Sequence, residues 1–212
     1  MPDIQPRIEW VEETGSTNAD IRDRAAAGER GPLWLAARRQ TAGRGRRGRV
    51  WSGHGGNLFT TGLYTFQCEP ARAAELSFAA ALAVAAVCDS ATRDPALTRL
   101  KWPNDALVGG RKVAGILLES GAAPGGGLWL AIGIGINLAE APDDAERPAT
   151  ALARHGRSLA PEDAPVTLIT AFERERADWH LGGFGPIRDL WLTRSHDSGH
   201  RCADRLEKET DS

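Results

Sequence analysis

Apolar and polar side chains alternate from Arg7 to Glu13 (RIEWVEE) at period two, which predicts a half-buried strand that stops at Thr14-Gly15. Ser16-Thr17-Asn18 then offers capping side chains for a helix over Ala19 to Ala27, closed by Gly28. Leu33 to Ala37 (LWLAA) is a short, unbroken apolar run, and Asn57 to Phe66 (NLFTTGLYTF) is rich in Thr and aromatics; both read as strands. An Ala-rich stretch from Ala71 to Thr92 predicts one helix. Leu97 to Trp102, Ala106 to Val108 and Lys112 to Glu119 follow, the last two joined through Gly109-Gly110 as a hairpin. Leu128 to Leu138 (LWLAIGIGINL) is an apolar strand carrying two interior glycines. Ala139 to Pro165 reads as loop, and Val166 to Trp179 and Gly185 to Thr193 as closing helices. Runs of strands with helices between them predict an α+β domain built on a mixed or antiparallel sheet.

Composition narrows the class. With 212 residues, 42% hydrophobic and 25% charged, the chain suits one compact soluble domain; disorder and membrane residence fit poorly. The start carries acids where a secretory signal needs cations, and Phe78 to Cys88 is about half the length needed to cross a bilayer, so it reads as a buried helix. Cys68, Cys88 and Cys202 are odd in number and lack a CxxC pair, which predicts a reducing, cytoplasmic setting. His196, His200 and Cys202 lack helical ligand spacing, so a polar tail is preferred there over a metal site.

The net charge of −2 conceals an uneven distribution. No acid falls between Glu29 and Glu69, whereas Arg30, Arg38, Arg39, Arg44, Arg46, Arg47 and Arg49 all do, which points to local binding of an anion. Thr41 to Gly56 (TAGRGRRGRVWSGHGG) combines glycines that expose backbone N–H groups with fork-shaped guanidinium donors. An anion site and a flexible basic or nucleic-acid-binding arm both fit this composition. A P-loop does not, because the Lys-Ser/Thr ending is missing.

Lys101 to Asp105 (KWPND), with Gly110-Arg111-Lys112 and Ala114-Gly115-Ile116, gathers a carboxylate, an amide and cations around one hairpin. Asp105 suits Mg²⁺ and Lys112 suits a phosphate, although Asn-Asp after proline is also ordinary turn chemistry. Gly133 and Gly135 within GIGIN weaken a strand unless something approaches its backbone closely; a β-bulge with Asn137 as turn residue is the simpler account.

Taken together, GSTN at 15–18, QTAGRGRRGRVW at 40–51, KWPND at 101–105, GRKVAGILLE at 110–119 and GIGIN at 133–137 resemble, in order, the catalytic domain of biotin protein ligases. The resemblance runs motif by motif from Ile8 to Leu138 and more weakly to Trp191. It implies a seven-stranded mixed sheet flanked by helices, of the class II aminoacyl-tRNA-synthetase-like type, and formation of biotinyl-5'-AMP from biotin and ATP with Mg²⁺. By the family pattern, Ser16, Thr17 and Gln40 line the biotin head with backbone from Gly43, Gly115, Gly133 and Gly135. Arg44 and Arg46 belong to a loop that orders over the adenylate. Arg49, Trp51, Asn104 and Asn137 meet ATP, Asp105 meets Mg²⁺, and Lys112 meets the reacting carboxylate and phosphate. Lys112, Arg46 and Asp105 are therefore the catalytic candidates. The implied acceptor is a biotin carboxyl carrier protein, with a homodimer through the sheet edge as the assembly.

The chain also departs from the pattern. No winged helix-turn-helix precedes Ile8, so neither DNA binding nor a repressor role is expected. Residues 1–194 are assigned to the catalytic domain and 195–212 to a remnant of a C-terminal SH3-like barrel, which predicts weakened ATP affinity or acceptor transfer. Lipoate or octanoyl ligation is the competing enzyme reading, with Arg38-Arg39 as a partial echo of that motif; an inactive biotin-binding relative and an arginine-loop nucleic-acid binder are the others.

Overall fold

A computed structural model describes residues 6–51, 55–142, 148–157 and 159–196. Seven strands, β1 (Arg7–Thr14), β2 (Leu33–Gln40), β3 (Leu58–Phe66), β4 (Thr98–Lys101), β5 (Asp105–Val108), β6 (Arg111–Ala122) and β7 (Leu128–Ile136), form one sheet in the order β1-β2-β3-β7-β6-β5-β4. Only β1 and β2 run parallel; every other neighbouring pair is antiparallel, so the sheet is mixed as expected. Both edges differ from the interior. β4 is extended by a short parallel bridge, in which Leu100 N donates to Arg194 O and His196 N to Leu100 O, each at 2.8 Å, whereas no described strand covers the outer side of β1.

Helices α1 (Thr17–Ala26), α2 (Pro70–Ala74), α3 (Leu76–Thr92), α4 (Ala164–Gly182) and α5 (Phe184–Thr193) divide between the two faces. Trp34, Tyr64, Leu130 and Ile132 pack in one cluster with α3 and α4; Leu33, Leu35, Leu63 and Ala131 pack with Ile21 and Ala25 of α1. Because successive strand side chains point to opposite faces, a strand covered on both sides must be apolar throughout. That is why LWLAA shows no alternation; β1 at the edge, expected to bury alternate side chains, has no fully buried residue and its burial does not alternate. From Ala79 to Ala85 every residue of α3 is buried, so the helical stretch Pro70–Thr92, which is long and apolar enough to span a membrane, serves as the core helix.

Several sequence expectations are corrected. The single helix expected over 71–92 is two, with Glu75 between them; Glu75 N turns back to Arg72 O at 3.2 Å, and its carboxylate accepts from Trp179 Nε1 of α4 at 2.7 Å. Within the loop expected over 139–165, Lys112 N donates to Pro148 O and Thr150 N to Lys112 O, laying 148–150 beside the start of β6. Gly109 and Gly110 both have positive φ, 58° and 76°, as a two-residue hairpin turn requires. Of the stretch assigned to a barrel remnant, only Ser195 and His196 are described; residues 197–212, with His200 and Cys202, lie outside the described residues.

The one tyrosine of the chain sits at the centre of the helix-side core. Tyr64 Oη donates to Glu173 Oε1 at 2.6 Å and accepts from Trp34 Nε1 at 2.7 Å, and its ring lies 5.4 Å from that of Phe172. Burial, followed by the adjacent Glu173 carboxylate, pushes the phenol well above its ordinary 10.0. A folded-state value above the unfolded one contributes stability below about pH 10 that is lost as pH rises through the folded value. Spectrophotometric titration should therefore show no phenolate at pH 10, where a free tyrosine is half ionised, and ionisation only together with unfolding. A reversible titration near pH 10 in the folded protein would contradict this.

Candidate active site

The register of the central strands builds the site. On the α1 side of the sheet, Thr61, Gly133 and Leu117 form one cross-strand row; two residues along, Gly135 pairs with Gly115, which pairs with Asp105. The small residues in these rows sink a depression into the sheet. The N-terminal end of α1 and the segment 43–51 border it.

The resulting pocket has a volume of about 840 Å³. Its lining includes Ser16, Thr17, Gln40, Arg44, Arg46, Arg49, Trp51, Asn104, Asp105, Lys112, Gly115, Gly133, Gly135 and Asn137, so one cavity collects every candidate named from the sequence except Gly43. Gly43 is buried at the base of the arginine segment, where a Cβ would lie 2.6 Å from Trp51 O. A second groove, of about 600 Å³, runs past Glu12, Glu13, Arg38, Arg39 and Glu162. Its charges are paired among themselves, and the hydrogen bond from Arg38 holds the Glu162 carboxyl below its ordinary range.

The pocket has a neutral polar part and a cationic part. In the first, Thr17 N donates to Gln40 Oε1 at 2.8 Å, and Thr17 Oγ1 lies 3.0 Å from the same oxygen. Thr61 Oγ1 sits 2.8 Å from Thr17 Oγ1 and 2.7 Å from Asn18 Oδ1; Asn18 Nδ2 donates to Glu119 Oε2 at 2.9 Å and to Leu117 O at 3.4 Å. Ser16 is the N-cap of α1 but makes no side-chain cap bond, and Thr17 and Asn18 lie inside the helix with their side chains in this network. The expected capping role is thus replaced by a tertiary one. Asn18 lines the pocket and was missed, as were Thr61 and Glu119, which hold it by hydrogen bonds. Asn18 and Glu119 fall inside recognisable motifs, whereas nothing local marks Thr61, which enters only through strand pairing.

In the cationic part, Arg44, Arg46, Arg47, Arg49, Lys101 and Lys112 share the lining with Asp105, the one acid among the described lining residues. The arginine segment forms a tight hairpin: Gly45 N donates to Arg49 O at 2.7 Å, Trp51 N to Gly43 O at 2.9 Å, and Arg44 bridges Val50. Trp51 lies across the small strand residues, so that a Cβ at Gly135 would meet its indole at 2.5 Å and one at Gly115 at 2.9 Å. These glycines therefore make room for the protein's own tryptophan. Trp51 Nε1 is buried with no acceptor among the described residues, packed against the β7 backbone at Gly135. Lys112 Nζ is 5.5 Å over the Trp51 ring and 2.6 Å from Asp105 Oδ1, an ion pair outside hydrogen-bond angles; that oxygen meets no other donor. Asn104 and Asn137 line the cavity, yet each donates its amide to a backbone carbonyl, of Ile116 and Thr150 respectively. Both therefore hold the pocket walls in place.

No cluster of three or more metal-binding side chains occurs among the described residues. One carboxylate amid six cations does not make a resident metal cage. It does suit Mg²⁺ carried in by nucleotide phosphates, since that ion keeps several waters and often takes one or two protein carboxylates.

The profile of the biotin/lipoate A/B protein ligase family matches residues 14–137. A curated biotin–[acetyl-CoA-carboxylase] ligase of Paracoccus denitrificans is 43% identical over 188 residues, covering 86% of this chain and 78% of its own length. Among solved structures, the biotin protein ligase of Aquifex aeolicus in complex with biotin and ATP superposes with a TM-score of 0.75 at 26% identity, covering 90% of this chain and 78% of that one. The Leishmania major biotin protein ligase in complex with biotinyl-5-AMP gives 0.76 at 26% identity, with coverages of 91% and 83%.

Proposed function

Since the chain belongs to the biotin/lipoate A/B protein ligase family, we propose that it is an ATP-dependent biotin protein ligase that forms biotinyl-5'-AMP and transfers the biotinyl group to a lysine of an acceptor protein. The observation that carries this reading is the order of groups along β7. From Gly133, beside the Thr17–Gln40 polar set, to Asn137, near Lys112, four residues span roughly 13 Å of strand. A ligand with a hydrogen-bonding head, an apolar chain and a terminal carboxylate fits that sequence of surroundings.

In the first step a biotin carboxylate oxygen attacks the α-phosphorus of ATP; the bond to the bridging oxygen breaks and pyrophosphate leaves. The carboxylate is already nucleophilic at neutral pH, so the protein contributes positioning and charge neutralisation, through Lys112 and the arginines of the 43–51 hairpin. Asp105 would hold Mg²⁺ arriving on the nucleotide, and the ion would neutralise charge on the departing pyrophosphate. In the second step the acceptor amine attacks the acyl carbon, the bond to the phosphate oxygen breaks, AMP leaves and one proton is lost. Asp105, the one acid among the described lining residues, is the candidate acceptor for that proton.

The acceptor in this reading is the biotin carboxyl carrier protein of acetyl-CoA carboxylase, matching the name of the Paracoccus relative. A homodimer would pair through the outer side of β1, which no described strand covers. Cys68 and Cys88 are free thiols, in keeping with the reducing, cytoplasmic compartment assumed here. Lipoate or octanoate would leave the Thr17–Gln40 set without partners. Biotin-dependent pyrophosphate exchange, with lipoate and octanoate as controls, tests the proposal; exchange with lipoate and none with biotin would overturn it.

The hairpin also bears on retention of the adenylate. Arg46 lines the pocket from an exposed hairpin position, where its charge can lie over the bound phosphate. Arg46→Gly should release biotinyl-5'-AMP and label lysines of bystander proteins at least about tenfold more than wild type, as about 1.4 kcal/mol of lost phosphate contact implies. Equal retention of the intermediate in rapid-quench assays would contradict this.

A further inference from the structure

Lys112 owes its position to a segment that the two steps above leave unused. We propose that His155, acting through Thr150, is a positioning residue that keeps the Lys112 ammonium aimed at the nucleotide phosphates. The proposal rests on the ligase reading and deepens it.

Residues 148–150 lie beside the start of β6, and each of their carbonyls is engaged by a residue at the nucleotide end of the pocket. Pro148 O accepts from Lys112 N at 2.9 Å, Ala149 O from Arg111 Nε at 3.0 Å and Thr150 O from Asn137 Nδ2 at 3.2 Å. Thr150 N donates in turn to Lys112 O at 2.8 Å, so both backbone groups of Lys112 are held by this segment. The Thr150 backbone thus ties the start of β6 to the end of β7. Its hydroxyl is the polar group that remains, and Thr150 is only 2% exposed, so bulk water is out of reach. His155 supplies the partner: Thr150 Oγ1 and His155 Nε2 share a hydrogen bond of 2.8 Å.

A 3-10 turn over Leu152–Arg154 brings His155 back to that hydroxyl, with Leu152 fully buried and its N–H bonded to Asn137 O at 2.9 Å. The imidazole also rests against the turn from which β6 starts, since a Cβ at Gly109 would lie 3.5 Å from His155 Cε1. His155 therefore touches both supports of Lys112, Thr150 and the Gly109-Gly110 turn, while lying outside the pocket lining. Without the imidazole the buried hydroxyl must find another partner, and a stiff β-branched side chain does so by moving its backbone. That backbone carries Lys112, whose ammonium is set 2.6 Å from Asp105 and 5.5 Å over the Trp51 ring. The Thr17–Gln40 end of the pocket hangs on α1 and β2 instead, so its contacts with a biotin head are untouched.

Steady-state pyrophosphate exchange, with calorimetric titrations of ATP and of biotin and a melting curve for each variant, tests this. His155→Ala should lower kcat for exchange and weaken ATP binding, each about tenfold, the size of one buried hydrogen bond left unpaired, and keep biotin affinity within about twofold. His155→Gln, whose amide can both donate and accept, should stay within about threefold of wild type. Thr150→Val keeps the shape, loses the hydroxyl and should match the alanine variant, which covers the case in which that variant fails to fold. In a Lys112→Met background either substitution should cost less than about twofold, because the group it positions is gone. A lower melting temperature with exchange and ATP binding unchanged, an equal loss for biotin, or the full loss on top of Lys112→Met would overturn the proposal. Wild type that binds ATP and biotin without catalysing exchange would refute the ligase reading alone, and the ATP titrations would still decide the positioning role.

Discussion

Replacing Lys112 with methionine should reduce biotin-dependent pyrophosphate exchange by about two to three orders of magnitude, the usual loss when one preorganised group facing developing charge is removed. Lys112 stands at the start of β6, held by backbone bonds to Pro148 and Thr150, with its ammonium between the Trp51 ring and Asp105. The same substitution strands a carboxylate that is only 11% exposed, so stability should fall by about 1–3 kcal/mol as well. The two effects separate in the double variant Lys112→Met/Asp105→Asn, which removes both charges. Thermal unfolding should return close to wild type, while exchange stays low. If the double variant recovers its rate together with its stability, Lys112 serves only to neutralise Asp105, and the catalytic assignment fails.

Gly133→Ala is expected to damage both the fold and the pocket. The new methyl carbon would lie 1.9 Å from Asn18 Oδ1 and 2.7 Å from its Cγ, far inside contact distance. Asn18 is held by Thr61, Glu119 and Leu117, so it cannot rotate aside without leaving buried polar groups unpaired. A cost of about 2 kcal/mol follows, together with at least about a tenfold loss of biotin affinity. Gly185→Ala in α5, where nothing lies within 4 Å of the added carbon, is the comparison: it should hold or raise the melting temperature. Parallel melting curves and biotin titrations of the two variants decide the matter, and a Gly133→Ala protein that melts and binds like wild type would show that the α1–β7 packing is looser than these distances imply.

The same position shows where reading the chain alone reaches its limit. Interior glycines in an apolar strand announce that something comes close to the backbone, and a ligand or a bulge were the available explanations. The structure supplies a third: Asn18 and Trp51, distant in sequence, fill those spaces. Local rules had assigned Asn18 to a helix cap because Ser-Thr-Asn before an Ala-rich run is ordinary capping chemistry. Its actual partners, Thr61 and Glu119, are 43 and 101 residues away. Similarly, the helix break at Glu75 depends on a bond to Trp179 across the helix layer, which no local propensity encodes.

By itself, the sequence determined the things that depend on short-range periodicity and on motif order: the strand and helix types, the Gly109-Gly110 hairpin, the mixed α+β character and the grouping of Ser16, Thr17, Gln40, Lys101 to Asp105, Lys112, Gly133, Gly135 and Asn137, which the structure places around one pocket. These are legible because side-chain period and turn chemistry act over a few residues. The tertiary structure alone decided strand register and the packing of α1 against β7, and with them which hydroxyl faces which amide, which glycine yields to which side chain, and the pairing of Lys112 with Asp105. Hydrogen-bond polarity and close packing are properties of atoms within about 3 Å of one another, and in this chain those atoms come together only when β3, β6 and β7 lie side by side.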